Sequence, residues 1–227
     1  MPNGPQVGHA TITNTDITDY RAVGVVALTS GSTLTITKSN IIGFDNSNLV
    51  GQTGILVDRG AKGIVTHNKI SDNICKEEVP GCGPNWINDI QGFGISFGDT
   101  EIGSIISNNY VSNNDVGIGV FGASGCCIID HNKLTDNLIF SIVVGDSEHT
   151  ISNTKIFGGG VGVLAAATIA NTIATLDHVK IIDAETPIQA LSTGDLTATV
   201  DVVSPYFLGT LIDNPSLTPS LTFFSFF

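Results

Sequence analysis

Two histidines of this 227-residue chain stand directly behind aspartates, in Asp130-His131 and Asp177-His178. A carboxylate beside an imidazole is raw material for general acid and base catalysis. Both pairs belong to a column of polar residues, His67, Asn108, His131, Asn153 and His178, that recurs about every two dozen residues. A second set is acidic: Asp58, then Asp99 with Glu101, then Asp146 with Glu148. Aligned along one edge, these carboxylates could hold calcium or form the acid pair of a sugar hydrolase. Glu77, Glu78 and Asp89 could extend the same wall. A third set is basic, Lys69, Lys133, Lys155 and Lys180, interrupted by Tyr110. As an enzyme, the chain would use Asp99, Glu101, Asp130 and His131 as acid and base, with Lys133 stabilising charge.

The spacing of these sets comes from a repeat. The blocks Thr66 to Asn73, Ser107 to Asn114, Asp130 to Asn137 and Asp177 to Ala184 are one pattern written four times. A second pattern reads Gly54-Ile55-Leu56-Val57, Gly94-Ile95-Ser96-Phe97, Gly117-Ile118-Gly119-Val120, Ser141-Ile142-Val143-Val144 and Gly162-Val163-Leu164-Ala165. Units this small cannot bury a core alone and must stack on one another. The apolar positions alternate over three to five residues and are rich in Val, Ile and Thr, while Gly, Asn, Asp and Ser separate them. That pattern reads as short strands and turns, with no sustained helical period. Stacked strands then form a parallel sheet that climbs as a solenoid. Taking Ile17, Ile42, Ile70, Val111, Leu134, Ile156, Ile181 and Val203 as equivalent inward positions predicts about eight coils, or ~40 Å of stack.

Stacking also constrains the chemistry. Histidines two coils apart lie ~10 Å apart, too far to share one proton, so the plainer reading of their column is turn residues bonded to backbone. A lysine row on the outer face of stacked strands likewise guards against edge pairing. On the Gly-Ile-x-Val strands, alternation places Gly24, Gly54, Gly94, Gly117, Ser141 and Gly162 outside, beside Val26, Leu56, Ser96, Gly119, Val143 and Leu164. Such a strip carries nothing that titrates and is a docking surface.

At this point the chain resembles the right-handed parallel β-helices of the pectate-lyase-like superfamily. The resemblance rests on the Gly-Ile-x-Val strand, the following Ile-x-x-Asn-x-Ile strand and turn, and the trailing Asn-Asn or Asp-Asn, and it covers roughly residues 7 to 203. It implies a ladder of stacked asparagines inside one turn, matched here by Asn68, Asn109 and Asn132 and broken by Thr154 and Val179. It leaves activity open, since the superfamily contains lyases, hydrolases, esterases, epimerases, phage tail proteins, adhesins and proteins without known activity. Some of its lyases use Lys or Arg beside a uronate carboxylate, which makes the lysine row relevant. The arginine-rich signatures of pectate lyases are missing, as Arg21 and Arg59 are the only arginines. Asn14-Thr15-Asp16 echoes one polygalacturonase element, but its paired aspartates, Gly-His-Gly and Arg-x-Lys are absent.

Composition agrees with one all-β domain. A charged fraction of 13% and a mean hydropathy of +0.28 favour a packed core over disorder. The net charge of -12, with nine Lys and Arg, excludes a basic nucleic-acid footprint. It also repels acidic polysaccharides unless calcium or a local basic patch intervenes. No membrane span is expected. Met1 to Pro5 do not read as a signal peptide. The chain enters a rung almost at once without a cap, so a longer natural protein or a removed leader is expected.

The expected organisation is a parallel β-helix over 1–204, with a side-loop insertion at 74–92, and an apolar tail at 205–227. The tail carries Phe207, Phe223, Phe224, Phe226 and Phe227. It is expected to cover the end of the solenoid or its apolar strip, or to drive a homo-oligomer, a trimer by preference. In the insertion, Cys75 and Cys82 lie seven residues apart around Pro80-Gly81 and could close a disulfide loop. Cys126 and Cys127 are adjacent and expected on opposite sides of a strand; no CxxC pair points to zinc.

Two functions follow. One is a non-catalytic secreted or surface rod that displays its side loop or contacts a polysaccharide or cell-surface glycan, with Trp86 as a stacking platform. The alternative is a polysaccharide lyase or glycoside hydrolase in a groove between insertion and acidic edge. No cofactor is expected for either beyond calcium.

Overall fold

The computed structural model describes residues 6–44, 51–76, 80–85, 89–122, 126–203, 206–208 and 220–223. Each coil contributes one strand to each of three parallel sheets. Sheet A runs from His9–Thr13 to Ala198–Val202, sheet B from Asp16–Ile17 to Lys180–Ile182, and sheet C from Val23–Leu28 to Thr186–Ser192. Among the described residues this gives seven complete coils. Part of an eighth follows, with Ala198–Val202 in sheet A and Tyr206–Leu208 paired with Lys180–Ile182 in sheet B, and Ser220–Phe223 adds a ninth strand to sheet A on Ala198–Val202. The rest of the tail, including Phe224, Phe226 and Phe227, lies outside the described residues.

The period-2 pattern makes the core. In Thr33–Thr37, Leu34 and Ile36 are buried while the three threonines face outward. Stacking gives sheet B an inner column of Ile41, Ile70, Val111, Leu134, Ile156 and Ile181. Two of the equivalences expected from sequence are thereby corrected. Ile41, not Ile42, stands over Ile70, since only one of two adjacent isoleucines can face inward. Phe207, not Val203, pairs with Ile181.

The corners explain most of the polar columns. Between sheets A and B each of the seven complete coils among the described residues turns through one residue with positive φ: Asn14, Lys38, His67, Asn108, His131, Asn153 and His178, with φ between 46° and 59°. Asn, Asp and His enter this left-handed region more readily than other residues that carry a Cβ. The next residue turns inward and closes the corner with hydrogen bonds along the stack. The Asn68 amide N–H donates to Asn109 Oδ1 at 3.0 Å, and Asn109 N–H to Asn132 Oδ1 at 3.1 Å. The hydroxyls of Ser39 and Thr154 extend this ladder, accepting from Thr15 N–H and Asn132 N–H.

A second ladder stands at the corner between sheets B and C. Asp72, Asn113, Asp136 and Asp183 make that turn in the left-handed region. Inside it, Asn73 N–H donates to Asn114 Oδ1 at 3.1 Å and Asn114 N–H to Asn137 Oδ1 at 3.2 Å, all three side chains being fully buried. Tyr20 ends the stack by donating its hydroxyl to Asn73 Oδ1 at 2.5 Å, and burial pushes its phenol up from the usual value.

Sheet C corrects another expectation. The glycine column lies inside, not outside. A Cβ on Gly54 would sit 2.6 Å from Gly94 O and 3.2 Å from Asn73 Nδ2, and one on Gly94 would sit 2.7 Å from Gly117 O. The ladder skips the glycine on both strands alike, pairing Val23 with Thr53 and then Val25 with Ile55, and the glycine and the residue after it are both buried, as Gly54 and Ile55 are. The outward column does hold Val26, Leu56, Ser96, Gly119, Val143 and Leu164. Yet only its first end is bare: Val26 is 52% exposed, whereas Val143 is 0% and Leu164 1% exposed, within a second apolar cluster that includes Val116, Phe140 and Ala166.

Two substitutions test this reading. Asn114→Ala removes partners from Asn73 N–H and Ser112 O in a dry corner. It should destabilise the fold by roughly 2–6 kcal/mol in denaturant unfolding, at about 1–3 kcal/mol for each of the two orphaned groups. His131→Gly should change stability by less than about 1 kcal/mol, while His131→Val should cost about 1–2 kcal/mol, because only the second puts a β-branched Cβ at positive φ.

Candidate functional site

The structure separates the residues singled out for chemistry. Asp99, with φ 44°, turns the corner from sheet C to sheet A, and Glu101 follows it in the same exposed turn. Asp130 and His131 lie at the opposite end of sheet A. Asp130 is in register with Ser107, so the strand Ser104–Ser107 intervenes. Four residues of strand span about 13 Å, beyond the roughly 5–9.5 Å between the carboxylates of a glycosidase pair. Lys133 stands on the outer face of sheet B, stacked between Tyr110 and Lys155, with its ammonium 5.3 Å from the Tyr110 ring and 5.7 Å from that of Phe157.

The Asp130-His131 pair does form. His131 Nδ1 lies 2.5 Å from Asp130 Oδ2, while Asp130 Oδ1 accepts from Ser152 Oγ at 2.7 Å and Asn153 Nδ2 at 2.9 Å. Desolvation acts to raise the Asp130 carboxyl, but the Asn153, Ser152 and His131 donors and the His131 charge outweigh it and hold it down to about 2. A carboxyl so stabilised as its anion is a poor proton donor. The same geometry recurs two coils on, where His178 Nδ1 lies 2.6 Å from Asp177 Oδ1.

Asp146 has a structural use. Its Oδ1 accepts from the successive amides of Thr168, Ile169 and Ala170 at 2.8, 2.8 and 3.2 Å, in the next coil. Desolvation would raise this carboxyl, and those amides together with the Thr168 hydroxyl bring it below the ordinary value. Beside it, buried His149 places Nε2 2.8 Å from Ser147 Oγ and 3.2 Å from Gly145 O, while Nδ1 finds no partner among the described residues. Burial lowers the imidazole, opposed by the Gly145 carbonyl and the Asp146 charge.

Cys75 and Cys82 are joined by a disulfide. Cys126 and Cys127 are not on opposite sides of a strand: they are joined to each other. The strand begins only at Cys127, leaving Cys126 outside it, where the pleat does not force alternation. Among the described residues no three His, Cys, Asp or Glu side chains gather closely enough to hold a metal. Trp86, Glu77 and Glu78 lie outside the described residues.

Sequence reasoning missed Asp115. It follows the inner Asn114, at a position occupied by Ile74 and Leu138 in the neighbouring coils, and a charge in an apolar column was the available signal. Its carboxylate is 3% exposed and accepts at Oδ2 from Cys75 N–H at 2.6 Å and Gly92 N–H at 2.7 Å. Those two amides stand at the two ends of the insertion, so one oxygen clamps the base of the side loop. Desolvation raises this carboxyl, against the pull of the two amides. It lines a cavity of about 490 Å³ with Ile74, Cys75, Lys76, Gly83, Pro84, Leu138 and Ile139.

Three parallel sheets, inner ladders and a side loop define a parallel β-solenoid repeat protein. Its coils match the family model of the right-handed β-helix region over residues 5–179, and the chain belongs to that family. No curated protein and no solved structure matches the chain.

The depressed Asp130 carboxyl gives a titration test. Because its folded value lies below the unfolded one of 3.8, its contribution to stability is present above 3.8 and is lost as pH falls through about 2. Carboxyl-detected NMR should place its midpoint near 2 in the parent and higher in the His131→Ala variant. An ordinary midpoint in the parent would contradict the hydrogen-bond geometry.

Proposed function

We propose that this chain is a non-catalytic β-helix rod that presents a side loop and contacts glycan. The observation carrying this reading is the dispersal of the candidate acids and bases. Asp99 and Asp146 belong to one set of corners and His67, His131 and His178 to another, each at a residue where the backbone needs positive φ. A site for acid and base chemistry brings such groups together and shifts them in opposite directions. Here Asp130 is held as an anion on one edge, while Glu101 occupies another.

The outer face of sheet B supports the glycan part. Lys69, Tyr110, Lys133, Lys155 and Lys180 stack in register, and a groove of about 250 Å³ runs past Asn40, Lys69, Ser71 and Tyr110. An aromatic ring between ammonium groups combines a stacking surface with hydrogen-bond donors. The two disulfides suit an oxidising compartment, in keeping with a secreted or surface protein.

Purified protein should release neither reducing ends nor unsaturated products from a panel of neutral and acidic polysaccharides, with or without calcium. Products that disappear in Asp130→Ala or Glu101→Ala would replace the rod with the lyase or hydrolase alternative.

A further inference from the structure

We propose that the cavity beneath the side loop is a binding site for a neutral saccharide unit, with Asp115 as hydrogen-bond acceptor and Ile74, Pro84, Leu138 and Ile139 as the apolar wall. This rests on the glycan-contacting reading above and gives it a location.

The argument begins with the two oxygens of Asp115. Oδ2 accepts both amide bonds, from Cys75 and Gly92, which fixes the plane of the carboxylate. Oδ1 takes no part in that clamp, and the side chain lines the cavity. A carboxylate oriented by two backbone amides on the wall of a cavity is a preorganised acceptor for a hydroxyl donor, and a charged acceptor makes the stronger kind of hydrogen bond.

The wall opposite is also held in place. The Cys75–Cys82 disulfide closes the first half of the loop, and Gln91 Nε2 donates to Gly83 O at 3.1 Å and Asn85 O at 3.2 Å in the second. Gly83 and Pro84 line, together with Leu138 and Ile139, a space of about 490 Å³, within the range of about 300–1,000 Å³ usual for small-molecule sites. Leu138 is 49% exposed at its rim. A pyranose fits this chemistry, offering an apolar ring face to Leu138 and Pro84 and hydroxyl edges to Oδ1. A uronate is disfavoured at Oδ1, where its carboxylate would approach that of Asp115 within a chain of net charge -12, although Lys76 also lines the cavity.

The full chain, isotopically labelled, is titrated with methyl glycosides of neutral hexoses and with their short oligomers while backbone amide shifts are followed. Saturable shifts centred on Cys75, Asp115, Leu138 and Ile139 are expected. Asp115→Asn can keep an oxygen on the two clamping amides while turning an NH2 into the cavity, and should weaken binding at least tenfold at unchanged melting temperature. Leu138→Asp changes only an exposed rim residue and should weaken it likewise, which covers the case of a misfolded Asp115 variant. Saturable shifts elsewhere, or parent-like binding by both variants, would overturn this site and leave the glycan reading standing. No shift with any sugar would overturn both.

Discussion

Every coil must turn three corners while coils lie ~4.8 Å above and below it. A loose loop does not fit between such neighbours, so most corners are made with one residue in the left-handed region and one turned inward. The first choice selects Asn, Asp, His or Gly, because a Cβ at positive φ crowds the backbone. The second selects a short side chain able to bond the amide N–H and carbonyl groups that the bend leaves without a ladder partner. Asn68, Asn109 and Asn132 at one corner and Asn73, Asn114 and Asn137 at the next are that solution repeated along the stack. Register, core and sheet order follow, since a slip by one residue would move an entire ladder out of its corner.

The same constraint accounts for residues that resemble catalytic groups. His67, His131 and His178 stand where Asn14, Asn108 and Asn153 stand in other coils, and Lys38 completes the series. Side chains sharing a backbone conformation, and differing freely in acidity, are selected by that conformation. Asp146 extends the argument to carboxylates, its anion being taken up by three amides of the adjoining coil. Asp115 stands apart: it interrupts an apolar column, it is buried, and its side chain lines a cavity.

Much of the fold is legible in the sequence, because the repeat and the alternation of Thr with Leu or Ile are local signals. The first ladder is legible through the family resemblance, which implies it and which Asn68, Asn109 and Asn132 match. The second ladder was harder to see: Asn73, Asn114 and Asn137 look like polar turn residues until the insertion after Asn73 is aligned out. The glycine column is not legible, because two consecutive residues of each strand, such as Gly54 and Ile55, face inward and strict alternation cannot register that. Ile41 and Ile42 carry equal hydropathy, so the sequence does not distinguish which of the two faces inward. The Cys126–Cys127 bond depends on where a strand begins, and the Asp115 clamp joins residues 23 and 40 positions away, so neither is visible from spacing.

The central claim is that the histidine column serves the backbone. It is tested most directly by replacing His67, His131 and His178 together with asparagine and measuring thermal unfolding alongside binding across a polysaccharide array. Asparagine takes the same left-handed conformation without an imidazole, so the account predicts a melting temperature within a degree or two of the parent and an unchanged binding profile. A loss of ligand binding or of any hydrolytic or lyase activity in that variant, at unchanged melting temperature, would show that the imidazoles act chemically and would contradict it.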